Sequence, residues 1–212
     1  MKRTRRFETI ALLVCLLSLG AAGPSWSASA RSKLVLVVPH RVLFTVAGPI
    51  YIAQEKGVFR ENNIDVDAVF TRGGGETVQA VVSGDARIGL STGIFPVIGA
   101  FVRKAPVKIA NHEFAAKKRD AMRGFFRAHQ RAVEYMMDHK EDSAKIWVKK
   151  AQLKLPESAV LKTWDFYHKA ALAPKPIRGI AQTMEDAVKF NFLKQKLTQA
   201  EVDQLIDLSY LP

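Results

Sequence analysis

The spacing of apolar and polar residues predicts an α/β arrangement for the first half of the chain. Residues 33–39 are a run of Val and Leu with little polar alternation, which is typical of a strand buried on both faces. Further short apolar runs predict strands over 64–70, 86–90 and 107–110. Strands that alternate with amphipathic stretches favour βαβ units and a parallel sheet.

The stretches between these strands predict helices over 49–56, 76–83 and 95–102. Gly48 and Pro49 open the first helix, because proline is well tolerated in a first helical turn. Gly57 ends that helix at a position that favours positive φ, and Gly84 closes the second.

After Asn111 the strand signals almost vanish and helical periodicity takes over. The predicted helices are 114–138, 142–153, 156–171 and 183–197. Thr183 is expected to cap the fourth, and Thr198 with Glu201 forms a capping box for a short last helix. The predicted fold is one α/β lobe over 31–110, an open and mostly parallel sheet with flanking helices, followed by an all-helical segment over 111–212 that packs on it.

The first thirty residues have the pattern of a secretory signal peptide. Cations at positions 2, 3, 5 and 6 precede an apolar run over 10–19, Pro24 follows, and Ala28 and Ala30 supply small residues for cleavage after Ala30. An uncleaved membrane anchor is the alternative. Cys15 suggests a lipoprotein only weakly, because Val14 stands where a small residue is required.

Removal of that segment leaves 182 of the 212 residues, with no cysteine and a net charge that falls from +12 to about +9. A disulfide, a thiol nucleophile and a cysteine-based metal site are therefore excluded from the remaining chain. No later apolar stretch is long enough to span a membrane. We expect no cofactor and no metal site.

Three strand-to-helix junctions, at 44–49, 71–77 and 91–94, carry the candidate ligand-binding residues. Ligands of open α/β sheets sit beyond the carboxyl ends of the strands, where free N–H groups of helix starts favour an anion. The candidates are Arg41, Thr45, Gly73, Gly74, Gly75, Thr77, Ser91 and Thr92. A plain flexible turn is the alternative for the glycines, and helix capping is the alternative for the hydroxyls.

Four sequence pieces resemble a known family of binding proteins. They are Pro49-Ile50-Tyr51-Ile52-Ala53-Gln54-Glu55-Lys56-Gly57-Val58-Phe59, Asn63-Ile64-Asp65-Val66, Gly73-Gly74-Gly75 and Val81-Val82-Ser83-Gly84-Asp85-Ala86-Arg87-Ile88-Gly89. In this order and behind a secretory signal, they resemble the sulfonate, nitrate, taurine and thiamine-precursor group of periplasmic solute-binding proteins. The resemblance implies the type II periplasmic-binding-protein fold.

The chain departs from that family in length. Two α/β lobes joined by crossover strands need roughly 250–300 residues, and 182 follow the predicted signal. We infer that most of the second lobe is missing, excised near Ala110 and Asn111. A complete but compact chain is the alternative.

Two further patterns favour ordinary structural roles. Arg119, Arg123, Arg127 and Arg131 recur every four residues, which indicates either a surface for an anionic partner or, in our preferred interpretation, a solvated helix face. His112-Glu113 has no second His four residues on, so a zinc helix motif is absent.

These observations predict a non-enzymatic periplasmic component of an ABC importer for a small organic anion. The implied partners are the solute and the permease–ATPase complex, with no nucleic acid and a monomeric state. An enzyme of thiamine-pyrimidine synthesis and a non-binding interaction remnant are the alternatives.

Overall fold

The computed structural model describes residues 30–107, 117–167 and 179–211, and within them three parallel strands form one sheet. β1 is Ser32–Pro39, β2 is Ile64–Thr71 and β3 is Ile88–Gly89, in the order β2-β1-β3. Ser32 lies opposite Ile64, and the register continues to Pro39 opposite Thr71. β3 pairs with the other edge of β1, where Val37 lies opposite Gly89.

Helices connect the strands as an α/β chain requires, which confirms the predicted fold class. α1 (Phe44–Glu55) and α2 (Val58–Glu61) lead from β1 to β2, α3 (Gly74–Val82) leads from β2 to β3, and α4 (Ile94–Val102) follows β3. The β1-to-β2 connection and the β2-to-β3 connection run in opposite directions across the sheet. Because parallel crossovers are right-handed, α1 and α3 therefore lie on opposite faces of the sheet.

The first helix starts five residues earlier than predicted. α1 begins at Phe44, so Pro49 lies inside it rather than in its first turn. Proline has no N–H to donate to the Thr45 carbonyl, a defect that costs about 3 kcal/mol in an ordinary helix interior. Burial on nearly all sides offsets this cost, since eight residues of α1 are buried. Gly57 ends the helix at φ 72°, as predicted.

The second half of the described chain is helical. It contains α5 (Arg119–Asp138), α6 (Lys140–Ala151), α7 (Glu157–Leu161), a 3-10 turn (Trp164–Phe166), α8 (Ile180–Lys189) and α9 (Gln199–Leu205). The predicted helix over 156–171 is wrong for residues 162–167, where the chain leaves the α-helix and forms the 3-10 turn, and residues 168–171 lie outside the described ranges. The helix predicted over 183–197 instead ends at Lys189.

One of the two predicted helix caps is confirmed. Thr198 and Glu201 form the capping box of α9, with Glu201 N–H donating to the Thr198 hydroxyl. Thr183 is not a cap, because α8 starts three residues before it at Ile180 and the Thr183 hydroxyl donates to the Gly179 carbonyl at 2.9 Å.

The main hydrophobic core lies between β1, β2, α1 and the helices of the second half. Leu34, Leu36 and Val38 share one face of β1 and pack with α1, α5 and α6. A second core joins α4 to α8 and α9 through Ile98, Met184 and Leu205. The helical segment therefore contacts the α/β part through two separate cores.

Several sequence predictions fall outside the described residues. These are most of the signal segment (1–29), the proposed excision point at 110/111, His112-Glu113 and all but Val107 of the fourth strand. Val107 is buried against Val78 and Ala100. Residues from Arg31 to Pro212 form a compact unit of their own. Within the described ranges, no helix combines the length and hydropathy of a membrane span.

Candidate ligand-binding site

The strand order creates a crevice between the carboxyl ends of β1 and β3. β2 lies on one side of β1 and β3 lies on the other side. The loop after β1 and the loop after β3 therefore lead away from each other. Such a switch point is where open α/β sheets bind ligands. The loop after β1 starts α1, and the loop after β3 starts α4.

Both loops contain residues in the left-handed backbone region. His40, directly after β1, has φ 56°, and Ser91, two residues after β3, has φ 48°. Non-glycine residues are uncommon there, and such conformations concentrate at functional sites. Gly93, the residue before α4, has φ 76°. The loops on both sides of the switch point therefore contain residues with positive φ.

Gly74 joins the start of α3 to the loop after β3. A Cβ placed on Gly74 would overlap the carbonyl group of Thr92, so the two backbones are in direct contact. Only glycine permits this approach. The contact brings two of the three predicted junctions together, whereas Gly73 and Gly75 have open space where a Cβ would be.

Thr77 does not face the site. It is completely buried, and its hydroxyl oxygen lies 2.6 Å from that of Thr71. Both oxygens are also within hydrogen-bonding distance of the Gly73 carbonyl, at 3.0 Å for Thr77 and 3.2 Å for Thr71. The Thr77 hydroxyl therefore holds the glycine turn in shape rather than being free for a ligand.

The start of α3 already has a negative charge. Glu76 lies in its first turn, where its carboxylate accepts the Arg72 backbone N–H at 2.7 Å and pairs with the Arg72 guanidinium at 3.1 Å. These bonds, the backbone one first, lower the pKa of the Glu76 carboxyl. An anion is consequently less favoured here than at α1 and α4, whose first turns have no acidic residue.

Arg41 follows β1 and its side chain lies over β2, on the opposite side of β1 from β3. Its guanidinium carbon is 6.0 Å from the centre of the Phe70 ring on β2, and its backbone carbonyl accepts the Tyr51 hydroxyl at 3.1 Å. Within the described ranges, no ion pair of Arg41 is found. The side chain is exposed and is the cation nearest in sequence to the end of β1.

The start of α1 is held by aromatic residues from the second half of the chain. Phe44 packs against Trp147 at 4.7 Å, Trp164 at 4.1 Å and Tyr167 at 5.8 Å between ring centres. Trp164 is itself fixed by its indole N–H, which donates to the Met136 carbonyl at 3.1 Å. Thr45, the next residue of α1, is half-buried beside this anchor.

Apolar residues that the sequence analysis overlooked border the crevice. Val42 and Leu43 follow β1 and are 48% and 44% exposed, and Ile94, the first residue of α4, is 37% exposed. Exposed large apolar residues on adjacent loops are a signal for a binding surface. Ile94 stands directly before the helix predicted over 95–102, and this position could have indicated its role; Val42 and Leu43 gave no such signal, because the helix after them was predicted to begin only at residue 49.

A separate cleft lies at the opposite end of the sheet. It has a volume of 220 Å³ and is lined by Gln54, Gly57, Arg60, Asp65 and neighbouring residues. Gln54 donates to the Val66 carbonyl at 3.3 Å. The cleft borders the amino end of β2, so it contains none of the predicted site residues.

The arginine stripe of α5 is largely used within the fold. Arg119 donates to the Ser209 hydroxyl at 2.9 Å, Arg127 to the Asn62 side-chain oxygen at 3.4 Å, and Arg131 pairs with Glu61 at 2.9 Å. These contacts tie α5 to α2 and to the end of the chain, so three of the four arginines have partners within the protein, which a purely solvated helix face would not have.

Comparison with known families finds a match for the segment that contains most of the crevice loops. Residues 45–98 match the family NMT1/THI5 like. This segment is about a quarter of the chain and includes Gly74, Ser91 and Thr92, but not Arg41. The match fits solute-binding proteins of the type II periplasmic-binding-protein fold. No curated protein matches the chain.

Proposed function

We propose that the chain is the substrate-binding component of an ABC importer and captures a small organic anion. The observation that carries this proposal is the crevice between β1 and β3, where two helices without acidic first turns begin within or beside the NMT1/THI5 like segment. That family covers ABC substrate-binding proteins and thiamine-synthesis proteins. We further propose export to the periplasm, in accord with the signal pattern of residues 1–30.

The proposed site comprises the N-termini of α1 and α4 with Arg41, Thr45, Ser91 and Thr92. Helix N–H groups attract an anionic head, and Arg41 adds a full positive charge. Val42, Leu43 and Ile94 offer apolar contact to an organic body, which favours an alkanesulfonate over nitrate. Gly73, Gly74 and Gly75 form the adjoining turn, and Thr77 maintains its shape.

Calorimetry and thermal melts of the chain from Arg31 to Pro212 test this function. An alkanesulfonate should raise the melting temperature, and an uncharged alcohol of the same carbon skeleton should not. Ser91→Asp adds a negative charge where the anion would bind, and aspartate tolerates the left-handed backbone. Binding should fall at least tenfold in this variant. Ser158→Asp, at an exposed position of α7, is the matched control. Equal binding by both variants would contradict the site.

An enzyme of the thiamine-synthesis kind is the second candidate, because the matched family also covers such proteins. In the described ranges, no group of three or more His, Cys, Asp or Glu side chains is placed to hold a metal. Metal analysis of the purified chain distinguishes the candidates: a stoichiometric transition metal would favour the enzyme. The absence of any ligand-dependent melting shift would favour a non-binding remnant.

A further inference from the structure

The loop after α8 presents two phenylalanine side chains to solvent. Phe190 is 56% exposed and Phe192 is 45% exposed. Asn191 between them has φ 59°, which turns the chain sharply after Lys189. We call residues 189–196 the phenylalanine loop.

Hydrogen bonds and packing hold this loop in place. The backbone N–H groups of Phe192 and Leu193 both donate to the Ala187 carbonyl, at 2.8 and 3.0 Å. Leu193 is buried in the core that joins α4, α8 and α9. The Phe192 ring stacks on Phe95 of α4 with 4.8 Å between centres. The Phe190 ring meets Phe95 edge-on with 6.3 Å between centres, so both phenylalanines are held against α4 with about half of each side chain exposed.

The loop is also positively charged. It contains Lys189, Lys194 and Lys196 and no acidic residue. Lys196 pairs with Glu185 at 2.8 Å, and the Lys189 ammonium lies 5.7 Å from the Phe190 ring centre. Lys189 and Lys194 are exposed, so their charges are available to an anionic partner.

The exposed apolar area is small. Two partly exposed phenylalanines offer on the order of 200 Å², whereas a stable protein interface needs about 800 Å² on each partner. A pair of aromatic rings flanked by lysines suits the interface of a lipid bilayer, where rings enter the headgroup region and ammonium groups meet anionic lipids.

We propose that the phenylalanine loop docks the protein on an anionic lipid bilayer. Phe190 and Phe192 enter the headgroup region, and Lys189 and Lys194 contact the anionic lipid headgroups. The α5 stripe is a poorer candidate, because three of its arginines are engaged within the protein and none of the large exposed apolar residues in the described ranges lies on α5.

Vesicle co-sedimentation of the chain from Arg31 to Pro212 tests the proposal. This unit is compact, and its described cores lie entirely within it. Binding should be stronger to phosphatidylcholine vesicles with 30% phosphatidylglycerol than to pure phosphatidylcholine. Phe190→Ser/Phe192→Ser should reduce binding to the anionic vesicles at least tenfold. Lys189→Gln/Lys194→Gln should reduce it by about fivefold per lysine and weaken its dependence on salt.

Matched control variants distinguish vesicle binding through this loop from binding through the positive net charge of the whole protein. Phe166 is 82% exposed on the 3-10 turn, so Phe166→Ser removes an exposed ring elsewhere. Lys145→Gln/Lys162→Gln makes the same change in net charge at other exposed positions. Circular dichroism melts verify that all variants fold. If the loop variants bind like these controls, the bilayer proposal is overturned. An acidic protein surface would then be the better partner for the loop.

Discussion

At the residue scale, His129 makes the stability of the fold sensitive to acid. It lies on α5 beside Phe125, with 6.1 Å between ring centres, and burial lowers its pKa from 6.5 to about 4. The unfolded chain therefore takes up a proton before the folded one does. Above pH 6.5 the ring is neutral in both states and costs the fold nothing, whereas between pH 6.5 and about 4 protonation of the unfolded chain lowers the free energy of unfolding by up to about 3 kcal/mol.

Replacement of His129 by phenylalanine should remove most of this pH dependence. Urea melts at pH 7.5 and pH 5 measure it, because the parent chain should lose stability between them and His129→Phe should lose less. His139→Phe, at the exposed end of α5, is the matched control. An equal loss in the parent and in His129→Phe would show that other groups cause the acid sensitivity.

At the element scale, Gly74 links the start of α3 to the loop after β3. Gly74→Ala forces a methyl group against the Thr92 carbonyl and should destabilise the protein by about 1–3 kcal/mol. Gly75→Ala has open space and lies in the same helix, so it should be neutral or stabilising by up to about 1 kcal/mol. Urea melts of both variants decide whether the contact is as tight as described; equal stabilities would contradict it.

Local signals predicted helices and strands well where a capping motif or a clear hydrophobic period marked them. The alternation of β2 and the Thr198–Glu201 capping box needed no tertiary information. The start of α1 could not be predicted, because Leu43 makes no side-chain cap and Phe44 is held by tryptophans about a hundred residues later. Long-range packing overrode the proline signal there.

The candidate site follows the same division. Sequence located the loop that contains Ser91 and Thr92, because strand ends and helix starts have local signatures. It could not reveal that Thr77 is buried against Thr71, or that Gly74 contacts Thr92, since both depend on how the strands pair. The direction of the Arg41 side chain could not be predicted either, because it depends on the position of Phe70 on the neighbouring strand.

At the scale of the whole molecule, we propose one α/β lobe over 31–110 and a helical segment over 111–212, without most of a second lobe. The absence of that lobe has a consequence for the affinity. If a two-lobed relative binds at micromolar concentration and each lobe contributes half, one lobe retains about −4 kcal/mol, which corresponds to a roughly millimolar dissociation constant. Calorimetry with an alkanesulfonate should give this weak affinity. A dissociation constant below about 10 μM would contradict the loss of a second lobe.

The aromatic contacts of Phe44 also give the molecule an optical reporter. Beyond the predicted signal, the chain has two tryptophans, Trp147 and Trp164, and both rings contact Phe44. Intrinsic emission of the chain from Arg31 onward therefore originates next to the first residue of α1. Any solute that shifts this helix start will change the emission spectrum without an added dye, so a titration can be followed in the unlabelled protein.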